Sequence, residues 1–327
     1  IVLDGFSGTT RVSQAFSKLG YTVISNDIAV WSKTFATCYL LNKKGKEYYQ
    51  KIIDHLNKLP DKYGWFSENY GGDPKEKGPK RPWQIHNTMK LDAIREEIDK
   101  TAKDEVEKSV LLTSLILAID KVDSTIGHYS SYLKDWALRS YKTMLLEVPN
   151  FTISETKHEV YQEDIFNLIP KVKADLTYYD PPYGSCNDKM PPSRVRYQAY
   201  YHIWTTIIKN DRPKLFGTTN RRADSSDRIS YSPFEDFRKD KDVRFIALDA
   251  IEKLIKKTQS KYILFSYSSG GRVPFKDLID VFSNNSKIIE VQKIDYKKNV
   301  MSLMRWTNEW TRKEEETHRE HLFLLEK

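Results

Sequence analysis

The hydrophobic positions change their period several times along the chain, and each change marks an element. Ile1-Val2-Leu3 is a short apolar run that stops at Asp4 and a glycine-bearing turn. Val12, Ala15, Phe16 and Leu19 then recur at helical spacing until Gly20. Tyr21 to Ile24 makes a second β-type run, closed by Asn26-Asp27, so the opening reads as a strand, helix, strand unit of the Rossmann kind. Residue 1 is isoleucine and falls inside a strand pattern, from which we expect native sequence ahead of it.

The pattern lengthens after Lys43. Leu91, Ile94 and Ile98, then Leu111, Leu112, Leu115, Ile116 and Ile119, recur every three or four residues, which predicts helices that bury one face. A Gly-, Pro- and Lys-rich loop over 71–81 separates them from an earlier Lys- and Tyr-rich helical stretch. Residues 43–150 therefore read as a helical insertion, with a DNA-recognition or accessory role open to it, and 1–42 with 151–327 read as the domain that carries it. Strand and helix signals alternate again from Glu159 to Ile165 and from Ala174 to Tyr179. They continue with a helix over 251–255, a strand over 262–267, a helix over 275–282, a strand over 287–294 and a last strand over 321–325, expected to be antiparallel. The sum is an α/β sheet with crossovers.

Composition narrows the class without changing this picture. Hydrophobic residues make up 39%, charged residues 30% and aromatics 13%, values that suit a folded globular chain and exclude a fibrous repeat or long disorder. The most apolar stretch, Val110 to Ile119, is too short to span a bilayer and holds Thr113 and Ser114, so no membrane segment is expected. Cys38 and Cys186 lie far apart, and His318 and His321 lack a third ligand, so neither a disulfide framework nor a metal site is expected, and a reducing cytoplasm is the expected location. The formal net charge of +8 favours a polyanionic partner.

Two short segments carry the chemistry. In Asp180-Pro181-Pro182-Tyr183-Gly184, each proline lacks a backbone N–H and pushes the residue before it out of the α region. The result is a stiff, donor-poor turn that offers the Asp180 carboxylate and backbone carbonyls to an amino group with two hydrogens, beside the flat face of Tyr183. An ordinary strand-ending turn has the same residue types. Asp4-Gly5-Phe6-Ser7-Gly8 is the second segment, and Asp27 follows it by roughly 20 residues, the separation at which a carboxylate accepts both ribose hydroxyls of a bound cofactor.

Taken together, these residues resemble the amino-directed DNA methyltransferases that make N6-methyladenine, of the D12 or Dam-like class, and the order of the two motifs is similar to that of its α group. The resemblance covers most of the chain. It implies a Rossmann-like S-adenosylmethionine-dependent methyltransferase sheet, with S-adenosyl-L-methionine held by Asp4, Gly5, Phe6, Ser7, Gly8 and Asp27, and by Asp164 and Ile165 at the cofactor adenine. Asp164 equally suits a helix N-cap. Threonine stands at 10, where many relatives carry a second glycine, and fits a turn residue of negative φ. The resemblance assigns catalysis to Asp180, Pro181, Pro182 and Tyr183. Tyr197-Gln198-Ala199-Tyr200-Tyr201-His202 is similar to an aromatic segment that follows in relatives.

The implied substrate is an adenine flipped from double-stranded DNA, and the implied partner is a restriction endonuclease acting on the same site. Contacts to DNA are expected within 185–245 and 296–319, with Tyr197, Arg221, Arg222, Lys297, Lys298 and Arg305 as candidates. The competing readings are an N6-adenine RNA methyltransferase and, in another class, a nucleic-acid-binding subunit with a decayed active site.

Overall fold

The computed structural model describes residues 1–75, 81–184, 197–226, 232–236, 238–241, 243–295 and 319–327. Seven strands make the principal sheet: β1 (Val2–Asp4), β2 (Val23–Asn26), β3 (Glu159–Tyr161), β4 (Leu176–Tyr179), β5 (Tyr262–Ser268), β6 (Lys287–Asp295) and β7 (Arg319–Glu326). Their order is β6-β7-β5-β4-β1-β2-β3. Strand β4 is parallel to β1 and β5, and β2 is parallel to β3, whereas β7 is antiparallel to β5 and β6. This is the mostly parallel α/β sheet with an antiparallel last strand that the alternating pattern predicts. The helices are α1 (Arg11–Lys18), α2 (Val30–Ala36), α3 (Lys46–Asn57), α4 (Trp65–Tyr70), α5 (Ile85–Thr101), α6 (Glu105–Asp120), α7 (Ile165–Leu168), α8 (Tyr197–Tyr200), α9 (His202–Lys209), α10 (Ile246–Lys257) and α11 (Phe275–Asn285). None among the described residues is long and apolar enough to cross a membrane.

The chain packs as two compact units. The first comprises Ile1–Phe6, Glu163–Tyr197 and Tyr231–Lys327. Its strands alternate as a half-buried sheet requires: Ile263, Phe265 and Tyr267 of β5 and Phe323 and Leu325 of β7 are buried on one face against α10 and α11. The pairing Tyr179 with Phe265 and Phe265 with Phe323 carries that apolar face across β4, β5 and β7. By the same register Tyr178, Ser266 and Glu320 share the opposite face. Helix α10 is twelve residues long, where the apolar positions alone predict only 251–255, because Ala247, Leu248 and Ala250 extend its buried stripe toward the N-terminus.

The second unit comprises Ser7–Gln162 and Gln198–Ser230. Its boundary differs from the expected division into an insertion over 43–150 and a surrounding domain. Trp31 and Phe35 of α2, ahead of the insertion, and Ile203, Trp204 and Ile207 of α9, beyond it, belong to the same core as Ile94 and Leu115. The rings of Trp31 and Phe35 meet Trp204 at 5.5 and 5.6 Å. Helix α6 is also not the one-faced helix that its spacing predicts. Val110 to Ile116 are buried without a break, polar Thr113 and Ser114 included, because the helix is enclosed by α2, α5 and α9. Its start is set by Asp104, whose carboxylate accepts the Glu107 amide at 2.7 Å.

Candidate active site

Both chemistry-bearing segments begin at the carboxyl ends of neighbouring parallel strands in the first unit. Asp4 at the end of β1 pairs with Tyr178 of β4, and the Gly5 amide donates to the Tyr178 carbonyl at 3.0 Å. Strand β4 runs directly into Asp180, so the glycine turn and the proline corner leave the sheet side by side. In open α/β sheets ligands bind outside the carboxyl ends, where the strand order reverses, and β1 and β4 lie at that reversal.

The proline corner is tied down from several directions. The Tyr183 carbonyl accepts the Arg272 amide at 2.7 Å and the Tyr267 hydroxyl at 3.4 Å, and the Tyr183 and Tyr267 rings meet edge to face at 4.9 Å. The Tyr183 hydroxyl donates to Asp180 Oδ1 and lies 2.7 Å from Glu320 Oε1 on β7. Ser266 of β5 donates to that same Glu320 oxygen at 2.5 Å. Withdrawal from water, with the Glu320 charge nearby, pushes the Asp180 carboxyl up to about 6, although the Tyr183 hydrogen bond opposes the shift. Burial and the two carboxylates also hold the Tyr183 phenol far above its ordinary value.

The candidate cofactor residues divide between the units. In the first, Asp4 is fully buried, and Gly5 sits against the Tyr179 ring so closely that a Cβ would come within 2.7 Å of it and within 3.1 Å of Ile165. The Phe6 ring meets Tyr179 at 6.0 Å and Phe234 at 5.1 Å, and Phe166 stacks on Phe234 at 5.8 Å, which makes an aromatic wall. Ile165 is buried, while the exposed Asp164 accepts the Phe166 amide at 2.8 Å and so does act as the N-cap of α7. In the second unit, the Gly8 amide donates to Asp27 Oδ2 and the Ala29 amide to Asp27 Oδ1, both at 2.9 Å. Gly8 has a φ of +48°, which glycine adopts without cost. Ser7 is held by its amide on the Asn26 carbonyl at 2.8 Å and by its hydroxyl on Ser32 at 3.0 Å. Thr10 overturns one expectation: its φ is +65°, in the left-handed region, not negative. Its hydroxyl compensates locally, donating to the Thr9 carbonyl at 2.7 Å and accepting from Gln14 at 3.0 Å.

Of the candidate DNA contacts, Tyr197 opens α8 and is 44% exposed. Arg221 donates to the Ser225 carbonyl at 2.5 Å and lies over the Phe216 ring. Arg222 is a correction. Its guanidinium is buried and grips Asp211 at 2.9 and 2.8 Å and Asp224 at 2.7 and 2.8 Å, so its charge is spent inside the unit and not on a phosphate. The preceding Gly217 to Asn220 turn is itself anchored, since Tyr70 donates to the Asn220 carbonyl at 2.8 Å and Tyr132 to the Thr219 carbonyl at 2.6 Å. Lys297, Lys298 and Arg305 lie outside the described residues. Sequence reasoning missed Glu320, Ser266 and Phe234. Ser266 carries a faint signal, as a polar residue in a largely apolar strand, and Glu320, between Arg319 and His321, carries none; nothing in the sequence ties either to a motif more than 80 residues away.

Fold and site together define an α/β chain whose glycine turn adjoins an acid-proline corner, and the comparisons place it. The model of the D12 class N6 adenine-specific DNA methyltransferases matches residues 1–260, and the chain belongs to that family. Modification methylase StsI of Streptococcus sanguinis is 29% identical over 317 residues, covering 91% of this chain and 44% of that protein. Modification methylase LlaI of Lactococcus lactis subsp. lactis is 28% identical over 312 residues, covering 90% and 46%. Type II methyltransferase M.NlaIII of Neisseria lactamica is 27% identical over 297 residues, covering 89% and 82%. The chain thus spans less than half the length of the first two.

Proposed function

We propose that this chain is a DNA adenine methyltransferase that moves a methyl group from S-adenosyl-L-methionine to N6 of an adenine in duplex DNA, as the modification half of a restriction-modification system. Its partners are then double-stranded DNA and a restriction endonuclease acting on the same site, and it works where the DNA is, in the cytoplasm. The observation that carries the reading is the adjacency of the Asp4 to Phe6 turn and the Asp180 to Tyr183 corner at the ends of β1 and β4. Family membership and the similarity to named modification methylases support it from a separate direction.

The residues present fit the cofactor. Asp27 is approached by the Gly8, Ala29 and Ile28 amides, three donors for the roughly four sites that a carboxylate offers, which leaves acceptor capacity for a ribose hydroxyl. Asp4, Gly5, Phe6, Ser7, Gly8, Asp27, Asp164 and Ile165 are the residues that would hold it. When bound, S-adenosyl-L-methionine supplies an electrophilic methyl group on a sulfonium.

The remaining work falls to the corner. The adenine N6 lone pair is conjugated into the ring and is a poor nucleophile. Asp180 and the Pro181 carbonyl accept its two hydrogens, favour a pyramidal nitrogen and stabilise the positive charge that develops there. Pro181 and Pro182 keep the corner stiff and remove two backbone donors from it, and Tyr183 offers a face on which a base extruded from the duplex stacks. The reading puts DNA contacts within 185–245 and 296–319 and gives the helical insertion over 43–150, to which the Gly217 to Asn220 turn is hydrogen bonded, a DNA-recognition or accessory role. The test is to incubate the protein with methyl-labelled cofactor and mixed DNA and RNA, digest, and identify the labelled nucleoside. N6-methyldeoxyadenosine is expected; label on another base or on RNA, or none, overturns the reading.

A further inference from the structure

The Tyr183 hydroxyl has one proton and two carboxylates to give it to. In this structure the hydroxyl lies within donating reach of both Asp180 Oδ1 and, at 2.7 Å, Glu320 Oε1. A bond to Asp180 takes one of the carboxylate's roughly four acceptor sites and competes for the charge that the adenine amine is to meet. We propose that Glu320 is a positioning residue for methyl transfer: it provides the second seat that takes the Tyr183 hydroxyl hydrogen when Asp180 turns to the substrate, so that the acid is freed without moving the ring. The inference rests on the methyltransferase reading and deepens it. Glu320 lies on β7, beyond the residues that the family model matches.

Three features of the geometry carry it. The register across β4, β5 and β7 puts Tyr178, Ser266 and Glu320 on one face, the face on which Tyr183 meets Asp180. Ser266 donates to Glu320 Oε1 at 2.5 Å and sits 3.3 Å from the Tyr183 oxygen, so the seat is itself fixed by a neighbouring strand. Tyr183 is already within hydrogen-bond distance of both acceptors. The exchange is therefore a rotation of the hydroxyl hydrogen about the C–O bond, one carboxylate partner replacing another. The ring stays in its edge-to-face contact with Tyr267, where a stacking surface has to stay. Without Glu320, the hydroxyl either keeps an acceptor site of Asp180 occupied or loses its partner when the amine binds, and a half-buried donor without a partner is costly. The raised Asp180 pKa fits the same picture, since one of its causes is the charge of Glu320.

The test is a double-mutant cycle read in single-turnover methyl transfer to DNA, with cofactor affinity measured in parallel. Glu320→Ala is expected to lower the transfer rate about tenfold or more while cofactor affinity changes less than about twofold. In a Tyr183→Phe background, which keeps the ring and removes the hydroxyl, the same substitution is expected to cost less than about twofold, because there is no hydrogen left to seat. Glu320→Gln keeps an acceptor oxygen at the same reach and is expected to stay within about threefold of wild type. Glu320→Met, of similar length and without an acceptor, takes the place of alanine if the alanine protein does not fold. Equal losses in both backgrounds, or a glutamine variant as slow as alanine, overturn the inference while wild-type transfer leaves the methyltransferase reading standing. No transfer by the wild-type protein overturns that reading, and this inference with it.

Discussion

Two turns leave neighbouring strands at the same end of the sheet, and they use their hydrogen-bonding groups differently. The turn after β1 spends its donors inside the protein: the Gly5 and Ser7 amides donate to the Tyr178 and Asn26 carbonyls and the Gly8 amide to Asp27, while Gly5 lets the chain lie against Tyr179. The corner after β4 has two consecutive prolines and so two missing backbone donors, and its polar content is an acid, carbonyls and the Tyr183 hydroxyl. Similar topology therefore yields a close-packed turn that leaves the Asp27 carboxylate as its group for a cofactor's hydroxyls in one case, and an acceptor-bearing corner suited to an amine in the other. The side chains, more than the fold, decide what each can bind.

The sharpest way to break this contrast is to remove the acceptor from the acceptor-rich turn. Asp180→Ala is expected to lower methyl transfer by roughly 10²–10³-fold, the cost of deleting one preorganised group that stabilises developing charge, while cofactor binding stays within about twofold. Single-turnover kinetics and a cofactor titration on the same protein check it. A variant that still turns over at the wild-type rate removes Asp180 from the mechanism.

Next in size is an intrusion into the other turn. Gly5→Ala places a Cβ within 2.7 Å of a Tyr179 ring that cannot easily retreat, since it is fully buried, hydrogen bonded through its hydroxyl to Thr258 at 2.7 Å and packed on Phe6 and Phe265. Overpacking of this kind costs about 1–3 kcal/mol, to be read as a lowered midpoint in chemical denaturation. An alanine protein as stable as wild type, with unchanged cofactor affinity, shows that the turn does not depend on close approach.

A third expectation concerns protons. Asp180 opposes the charge developing on N6 only as the carboxylate, and its carboxyl is pushed up to about 6, so kcat/KM is expected to fall below that pH, to about a tenth of its plateau one unit lower. The sign for stability is the reverse. A carboxyl whose folded pKa lies above its unfolded value of 3.8 binds its proton more tightly in the folded state. Its contribution is thus fully present at low pH and is lost as pH rises through about 6. Activity and this part of the stability change in opposite directions across the same window. A pH-rate profile with no inflection between 5 and 7 counts against Asp180 as the titrating acceptor.

The turns were legible in the sequence because both depend on residue types with strong local consequences: glycine and proline next to an acid at the end of a strand. The alternation of strands and helices was legible for the same reason. Properties set by distant partners were not. Arg222 reads as a free basic residue on a loop until Asp211 and Asp224 are seen around it, and Glu320 reads as surface charge until β7 is laid beside β5. Helix α6 shows apolar spacing on one face, yet Thr113 and Ser114 are buried too, because α2, α5 and α9 enclose its middle from Val110 to Ile116. The division into units escaped a linear reading because α2 and α9, on either side of the insertion, share its core.

Thr10 gives the finest adjustment to the comparison, because it is a β-branched residue standing at positive φ in the glycine-rich turn. For a residue with a Cβ this conformation costs roughly 1–2 kcal/mol, which glycine avoids. Glycine in turn loses roughly 0.5–1 kcal/mol more chain entropy on folding. It would also forfeit the Thr10 hydroxyl's bonds to the Thr9 carbonyl and Gln14. These effects nearly cancel, so Thr10→Gly is expected to shift stability by less than about 1 kcal/mol in either direction. Thr10→Val keeps the strain and the shape but loses the hydroxyl, and is expected to cost about 1–2 kcal/mol. If valine proves as stable as threonine, the side-chain hydrogen bonds do not hold the turn, and the amides of this loop are positioned by the backbone alone.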